Sequence, residues 1–428
     1  MADCIPFVNS NDDCRILSRY YADARACRLS LNAVAKLKPH IPPGLALWVD
    51  PGVDAYHHMW TANPWPVDIR SVPAKDVARM WPRDEKGGEK DAWKLRLWSR
   101  WESQFKSFHS HQLLLDEKCW QKKHESDLNR FVAEVLEACL ALKPAWVTVP
   151  QLPVGKGRGK INKSLALAAS IWRRQKHDNT QFILPVIITS VSTLGSKPAR
   201  DKALQSARDC YGTADAGGIW VVDNTLNDQA RNEKFSARYE MLIEFHEALR
   251  ECLPRTMIAI AGPYWGINLV LWARGLCDFP AVSLGTSYTY HVSCGQTTQG
   301  TPRLAIPPLR RWVMANEELF KWLDMALTKL NSTDSAYEDL AELQRNFTAL
   351  SRRAAAADQV ARFYRKWIEK IQNIEPKGRA LGLYQDLSSA FVLGRQLPPL
   401  PKTTLPTSAP AKVLRAGKVA EQLMLHCL

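Results

Sequence analysis

The sequence predicts a (β/α)8 barrel of the TIM type, an α/β fold, with a tryptophan-rich insertion and a helical C-terminal region. The unit that carries this prediction runs from Thr256 to His291. Met257 to Ala261 reads as a buried strand, Gly262-Pro263 as a turn, and Ile267, Leu269, Val270, Leu271 and Trp272 as the apolar residues of a helix that ends near Gly275. A second all-apolar run, Pro280 to Leu284, stops at Gly285. Strands covered by helices show no polar alternation, so continuous apolar runs separated by helices mark parallel β-α-β units. The rest of the chain repeats that unit, and a length of 428 residues accommodates one barrel plus appendages.

Taken in order, Ile5 to Val8 is the first apolar run, and a helix is expected from about Asp13 to Leu37, ended by Pro39, Pro42 and Pro43. Leu45 to Val49 is the next strand and runs into Asp50-Pro51-Gly52, with His57 and His58 close behind. Adjacent histidines point different ways in a regular element, so surface positions suit them better than a metal site. Residues 60–125 break the rhythm with seven tryptophans and are read as an insertion whose aromatics pack a subdomain. Strands follow at Ala145 to Val149, Phe182 to Ile188 and Gly218 to Val222, separated by helices near Asp127 to Leu142, after Lys160 to about Gln175, and Lys202 to Cys210. A helix over Arg238 to Cys252 leads into the unit described above. These runs supply seven strands, and the eighth is expected near Arg303 to Ile306. An open doubly wound sheet is the alternative closure, but sustained right-handed crossovers curl more naturally into a barrel. The barrel is thus assigned to residues 1–310, a helical C-terminal region to 311–375, and a Pro-rich tail with a short terminal helix to 376–428.

No run approaches the roughly 18 apolar residues of a membrane span, and the N-terminus lacks a signal-peptide pattern. A cytoplasmic location and no membrane partner are the expectations. The ten cysteines are scattered singly, with no Cys-x-x-Cys pair. They read as reduced core thiols, with no metal site and no cofactor expected. A formal charge of +14 favours a polyanionic partner. Its best candidate contact is the loop Gly155-Lys156-Gly157-Arg158-Gly159-Lys160 with Lys163 beyond it, where cations and exposed amides suit phosphate, although the spacing is not a Walker A.

Barrel chemistry sits at the C-terminal ends of the strands. That rule gathers Asp50, Gln151, Thr189 and Asp223, with Tyr264, Ser287 and Tyr288 nearby. On these residues the chain resembles the tRNA-guanine transglycosylase superfamily, including its DNA-directed members that install 7-deazaguanines. Asp50-Pro51-Gly52-Val53 stands where that family carries Asp-Ser-Gly-Gly-Phe. Val186 to Ser190 takes the place of its Ile-Val-Gln-Gly. Gly217-Gly218-Ile219-Trp220-Val221-Val222-Asp223 matches the spacing of its Gly-Gly-Leu-Ala-Val-Gly-Glu. The likeness spans about residues 45 to 290. It implies a barrel that exchanges or cleaves a base within DNA or RNA through two carboxylates, one ionised and one carrying a proton. Asp50 and Asp223 fill those roles in this reading, with Gln151, Thr189, Gly217, Gly218, Tyr264, Ser287 and Tyr288 around the base. The sequence departs from the family at the acidic turn, here Pro150-Gln151, in lacking the cysteine and histidine zinc set, and in placing Pro280 where the nucleophilic aspartate belongs. Asp278 is the nearest carboxylate to that position.

Three functions stay open at this stage. The chain is an enzyme of base exchange, a barrel that binds nucleic acid without turnover inside a modification or defence complex with other subunits, or a small-molecule enzyme whose Gly285-Thr286-Ser287 turn holds phosphate.

Overall fold

The computed structural model describes residues 2–52, 74–85, 87–88, 95, 99, 125–155, 157–176, 179–226, 235–284, 301–404 and 415–428. Eight parallel strands close into a barrel in chain order: β1 (Ile5–Val8), β2 (Ala26–Ser30), β3 (Ala46–Asp50), β4 (Trp146–Thr148), β5 (Gln181–Ile188), β6 (Gly218–Asp223), β7 (Ile258–Ala261) and β8 (Phe279–Ser283). The closing pair sets Ile5 against Ala281 and Phe7 against Ser283. The open-sheet alternative is thereby set aside.

The eighth strand is not where the sequence placed it. It is β2, inside the stretch expected to be one long helix. That helix ends early as α1 (Asn11–Tyr20), and a second short helix, α2 (Leu31–Leu37), follows the strand. Ala, Arg and Leu are strong helix formers, so the β2 sequence Ala-Cys-Arg-Leu-Ser has little local strand signal. Pairing on both sides, to β1 and β3, overrides that preference. Arg303–Ile306 does form a strand, β9, but it pairs antiparallel with β10 (Arg311–Met314) as a separate two-stranded sheet.

Inside the barrel the rings of Phe7, Trp48 and Trp220 meet edge to face with centroids 5.4 to 5.6 Å apart. Trp48 Nε1 donates to Thr148 Oγ1 at 2.8 Å, and Trp220 Nε1 donates to the Gly262 carbonyl at 2.7 Å. Each ring removes roughly 150–250 Å² from water, several kcal/mol at about 25 cal/mol/Å², and the two indole bonds fix ring orientation. At the opposite end, Trp146 packs on Phe279, with ring centres 6.4 Å apart.

The outer helices that concern function are α3 (Ala74–Met80), α4 (Glu125–Leu140), α5 (Arg158–Lys176), α6 (Lys197–Ala214), α7 (Phe235–Cys252) and α8 (Ile267–Ala273). Of the insertion, α3 is described with Val77 and Trp81 buried; His57, His58 and most of the tryptophans lie outside the described residues. Beyond β10 come α9 (Glu317–Leu327), α10 (Ser335–Arg345), α11 (Phe347–Leu350), α12 (Arg353–Gln372), α13 (Arg379–Gln396) and α14 (Lys418–Met424). The 18-residue α13 lies within the stretch assigned to a Pro-rich tail, and it buries Leu383, Leu387 and Ala390. The helical region thus extends well past residue 375.

Polar contacts dock this region to the barrel and to the β9–β10 sheet. Gln359 on α12 brackets Ala305 of β9 with two bonds of 2.9 Å, and Tyr364 Oη donates to Asn268 Oδ1 of α8 at 2.6 Å. Burial alone would raise the Asp386 carboxyl, but a two-pronged Arg310 guanidinium, with both bonds at 2.6 Å, and Lys370 outweigh it and hold it below the usual carboxylate range. Among the described residues, no helix is long and apolar enough to cross a membrane.

A buried histidine makes stability depend on pH. His246 on α7 is 1% exposed, its Nε2 has no hydrogen-bond partner among the described residues, and burial, reinforced by the Arg250 charge, pulls it down to about 3. The unfolded chain takes up this proton near pH 6.5 while the folded chain does not, so the contribution is complete above pH 6.5 and lost as pH falls toward 3. Urea titrations from pH 7 to pH 4 should show a loss of up to a few kcal/mol that His246→Gln reduces; an identical slope in both proteins would refute this assignment.

Candidate functional site

The C-terminal mouth of the barrel is organised by strand alternation. Trp48 points inward, so Asp50, two residues on, also points inward. Arg28 on β2 lies inside as well: its guanidinium carbon sits 4.6 Å from the centre of the Phe7 ring and 5.3 Å from that of Trp220, a ring on the far side of the barrel. Arg28 and Asp50 form a buried ion pair through Nη2 and Oδ2. The other oxygen, Oδ1, accepts from Gly52 N at 3.2 Å, in a turn that requires glycine because φ is +68°. Ser30 is paired in register with Asp50, and Ser283 ends β8 beside Phe7. The result is a cation, a carboxylate and small hydroxyls above an aromatic floor.

Asp223 ends β6 on the same side of the barrel, but its side chain leaves the lumen. Trp220 points inward, which turns Asp223 outward toward α7. There Oδ1 accepts from Thr225 N at 2.9 Å and Thr225 Oγ1 at 2.6 Å, and Oδ2 pairs with Arg238 Nη2. Burial raises its carboxyl despite Arg238 and Thr225, which pull the other way. Asp223 therefore fastens β6 to α7 and does not face Asp50 across the mouth, which corrects the expected pair. These are the two carboxylates carried by the barrel strands.

Other expected positions are also redistributed. Asp278 sits at the opposite end of the barrel, where Oδ2 accepts from Ala259 N at 2.7 Å and pairs with Arg250 at 2.9 Å. Gly217 and Gly218 are at that end too. A Cβ on Gly218 would lie 2.7 Å from Ile183 Cδ1 and 2.9 Å from the Ile258 carbonyl, so glycine there serves strand packing. Tyr264 is buried, and its hydroxyl accepts from Asp223 N; Trp265 stacks on Phe363 at 5.9 Å. Neither offers a free face to a base. Thr189 is half-buried just past β5. Ser287, Tyr288 and Lys156 lie outside the described residues.

Gln151 follows the inward-facing Thr148 and turns out to α5, donating to the carbonyls of Pro150 at 2.8 Å and Asn162 at 3.0 Å. Asn162 in turn brackets Leu152 through both its amide atoms, and Val154 N donates to the Ile187 carbonyl at 2.8 Å. These bonds clamp the loop after β4 onto α5 and β5. They place the first turns of α5 on the Asp50 side of the barrel, where Lys160 and Lys163 are exposed and Arg158 Nη1 donates to the Pro153 carbonyl.

Burial pushes Cys4, Cys27, Cys210 and Cys427 up to about 12, which makes these thiols poor nucleophiles at neutral pH. Sequence reasoning missed Arg28, Ser30, Arg238 and Ser283. The one available signal was the alternation of Arg28 between apolar Cys27 and Leu29. No family model matches the chain, and no curated protein is similar enough to count as a relative.

Removing one member of a buried ion pair strands the other. Asp50→Asn should therefore cost about 3–5 kcal/mol, although Asn is nearly isosteric, and Arg28→Gln/Asp50→Asn should be less destabilised than the two single changes summed. Urea denaturation of all four proteins measures the coupling; additive losses would show that the pair is not coupled.

Proposed function

We propose that this barrel takes a nucleobase of a nucleic acid strand into its C-terminal mouth, with Asp50 and Arg28 as the groups that read the base. The observation that carries this reading is the Arg28–Asp50 pair above the Phe7, Trp48 and Trp220 rings. A carboxylate accepts from the N1–H and amino group of a guanine-like edge, and a guanidinium donates to its O6 and N7. A base must leave its stack to enter such a mouth, and buried aromatics with directed polar groups are how flipped bases are held. The likeness of Asp50-Pro51-Gly52-Val53 to the transglycosylase motif points to the same base class. Lys160 and Lys163, exposed on the same side, supply phosphate contacts.

Base exchange needs two carboxylates in unlike environments. Asp50 is available for one role, whereas Asp223 is held by Arg238 and Thr225 outside the lumen. That geometry favours binding without exchange over turnover. The base-exchange reading keeps the support of Asp50 itself, whose position fits an acid-base group beside a bound base.

The phosphate contacts give the direct test. Binding of a single-stranded oligonucleotide should weaken steeply with salt, and Lys160→Ala and Lys163→Ala should each reduce the slope of log affinity against log salt by about one. Salt-independent binding, or none at low salt, would exclude the proposal. Exchange of a labelled guanine into the bound strand would restore the enzymatic reading.

A further inference from the structure

The C-terminal end of α13 and the segment that leads into α14 line a half-open cavity of about 530 Å³. Its walls combine apolar Phe391, Leu397 and Pro399 with charged Arg395, Arg415, Lys418 and Glu421. The enclosure rests on backbone packed against backbone. A Cβ on Gly394 would lie 2.3 Å from Gly417 N, and one on Gly417 would lie 2.9 Å from the Phe391 carbonyl. Two glycines thus let the helix and the segment touch directly and fix the shape of the space above them.

The charges around this cavity do not balance. Lys418 and Glu421 neutralise one another at 2.8 Å. Among the described residues, the Arg395 guanidinium reaches only over the Phe391 ring, 6.0 Å from its centre, and the Arg415 guanidinium makes no hydrogen bond or ion pair. A third arginine lies against the wall. Arg311 of β10 is buried, and its Nη1 donates to the carbonyls of Arg415 at 3.3 Å and Ala416 at 3.1 Å. Its Nε has no partner, and no carboxylate pairs with it among the described residues. Burial pulls Arg311 down to about 10, which leaves it charged at neutral pH. A buried cation without a counter-charge is costly, and an anion held in the adjoining space relieves that cost.

We propose that this cavity is a binding site for a nucleotide phosphate, gripped by Arg395 and Arg415, with the organic part of the ligand against Phe391, Leu397 and Pro399. Guanidinium groups match phosphate oxygens two at a time and keep their charge when partly desolvated. The volume falls within the range of about 300–1,000 Å³ typical of small-molecule sites. The phosphate comes either from a free nucleotide or from a nucleic acid strand. The site uses no group at the barrel mouth and stands or falls separately from it.

Calorimetric titration of the full chain with adenosine monophosphate, and in parallel with a short single-stranded oligonucleotide, tests this. Arg395→Glu/Arg415→Glu should weaken binding about tenfold or more, because two charge-assisted contacts are lost and repulsion replaces them. Binding of adenosine monophosphate identifies a free-nucleotide site. Binding of the oligonucleotide alone, with the same sensitivity to the arginine variant, identifies a strand phosphate. If charge reversal lowers the melting temperature, Arg395→Gln/Arg415→Gln carries the same test. Failure of both probes to bind, or binding that the arginine variants leave untouched, overturns the proposal.

Discussion

A guanidinium and a carboxylate on neighbouring strands, Arg28 and Asp50, are buried together inside the barrel mouth, and most of what surrounds them follows from that. Two charges taken out of water persist only where their geometry is fixed. The fixing is done by the interlocked rings of Phe7, Trp48 and Trp220, two of which lie against the guanidinium, and by Gly52, whose backbone turns back onto Asp50. The same arrangement is suited to recognition. Low dielectric strengthens a directed hydrogen bond, and a preformed pair has little freedom left to lose on binding. In the proposed reading Asp50 carries a structural and a functional role at once, so a loss of function in a single variant has to be separated from a loss of stability.

The β-α rhythm was legible because its signal is apolar burial over whole strands, as in β5, β6 and β7. The hidden strand β2 was not legible, because Ala26, Arg28 and Leu29 favour a helix and only their neighbours in space decide otherwise. That single misreading also concealed Arg28, the partner that defines the site. Asp50 and Asp223 illustrate a second limit. Both were correctly seen to end strands on one side, but the face each presents depends on alternation counted from an inward residue. Trp48 and Trp220 supply that count only when their mutual contacts are known. Gly217 and Gly218 resembled a binding motif, whereas the close approach of Gln181 to Gly217, and of Ile183 and the Ile258 carbonyl to Gly218, explains them as packing.

The C-terminal region is joined to the barrel by specific polar bonds as well as apolar surface. Tyr364 ties α12 to α8, Gln359 extends the bonding of β9, and Asp386 of α13 gathers Arg310 and Lys370 of α12. Buried polar groups satisfied in this way select one docking geometry, since any sliding leaves them unpaired. The barrel flank at β7 and β8 is thus held in one register with the helices that enclose the arginine-lined cavity.

The central claim is that the Arg28–Asp50 pair reads a base. It is tested most directly by comparing the affinity of the protein for a single-stranded oligonucleotide carrying one guanine and for the same strand with that base removed. A base bonded to the pair predicts tighter binding of the guanine strand by roughly tenfold or more, with the difference abolished in Arg28→Gln/Asp50→Asn. Equal affinity of the wild-type protein for the two strands would contradict the account.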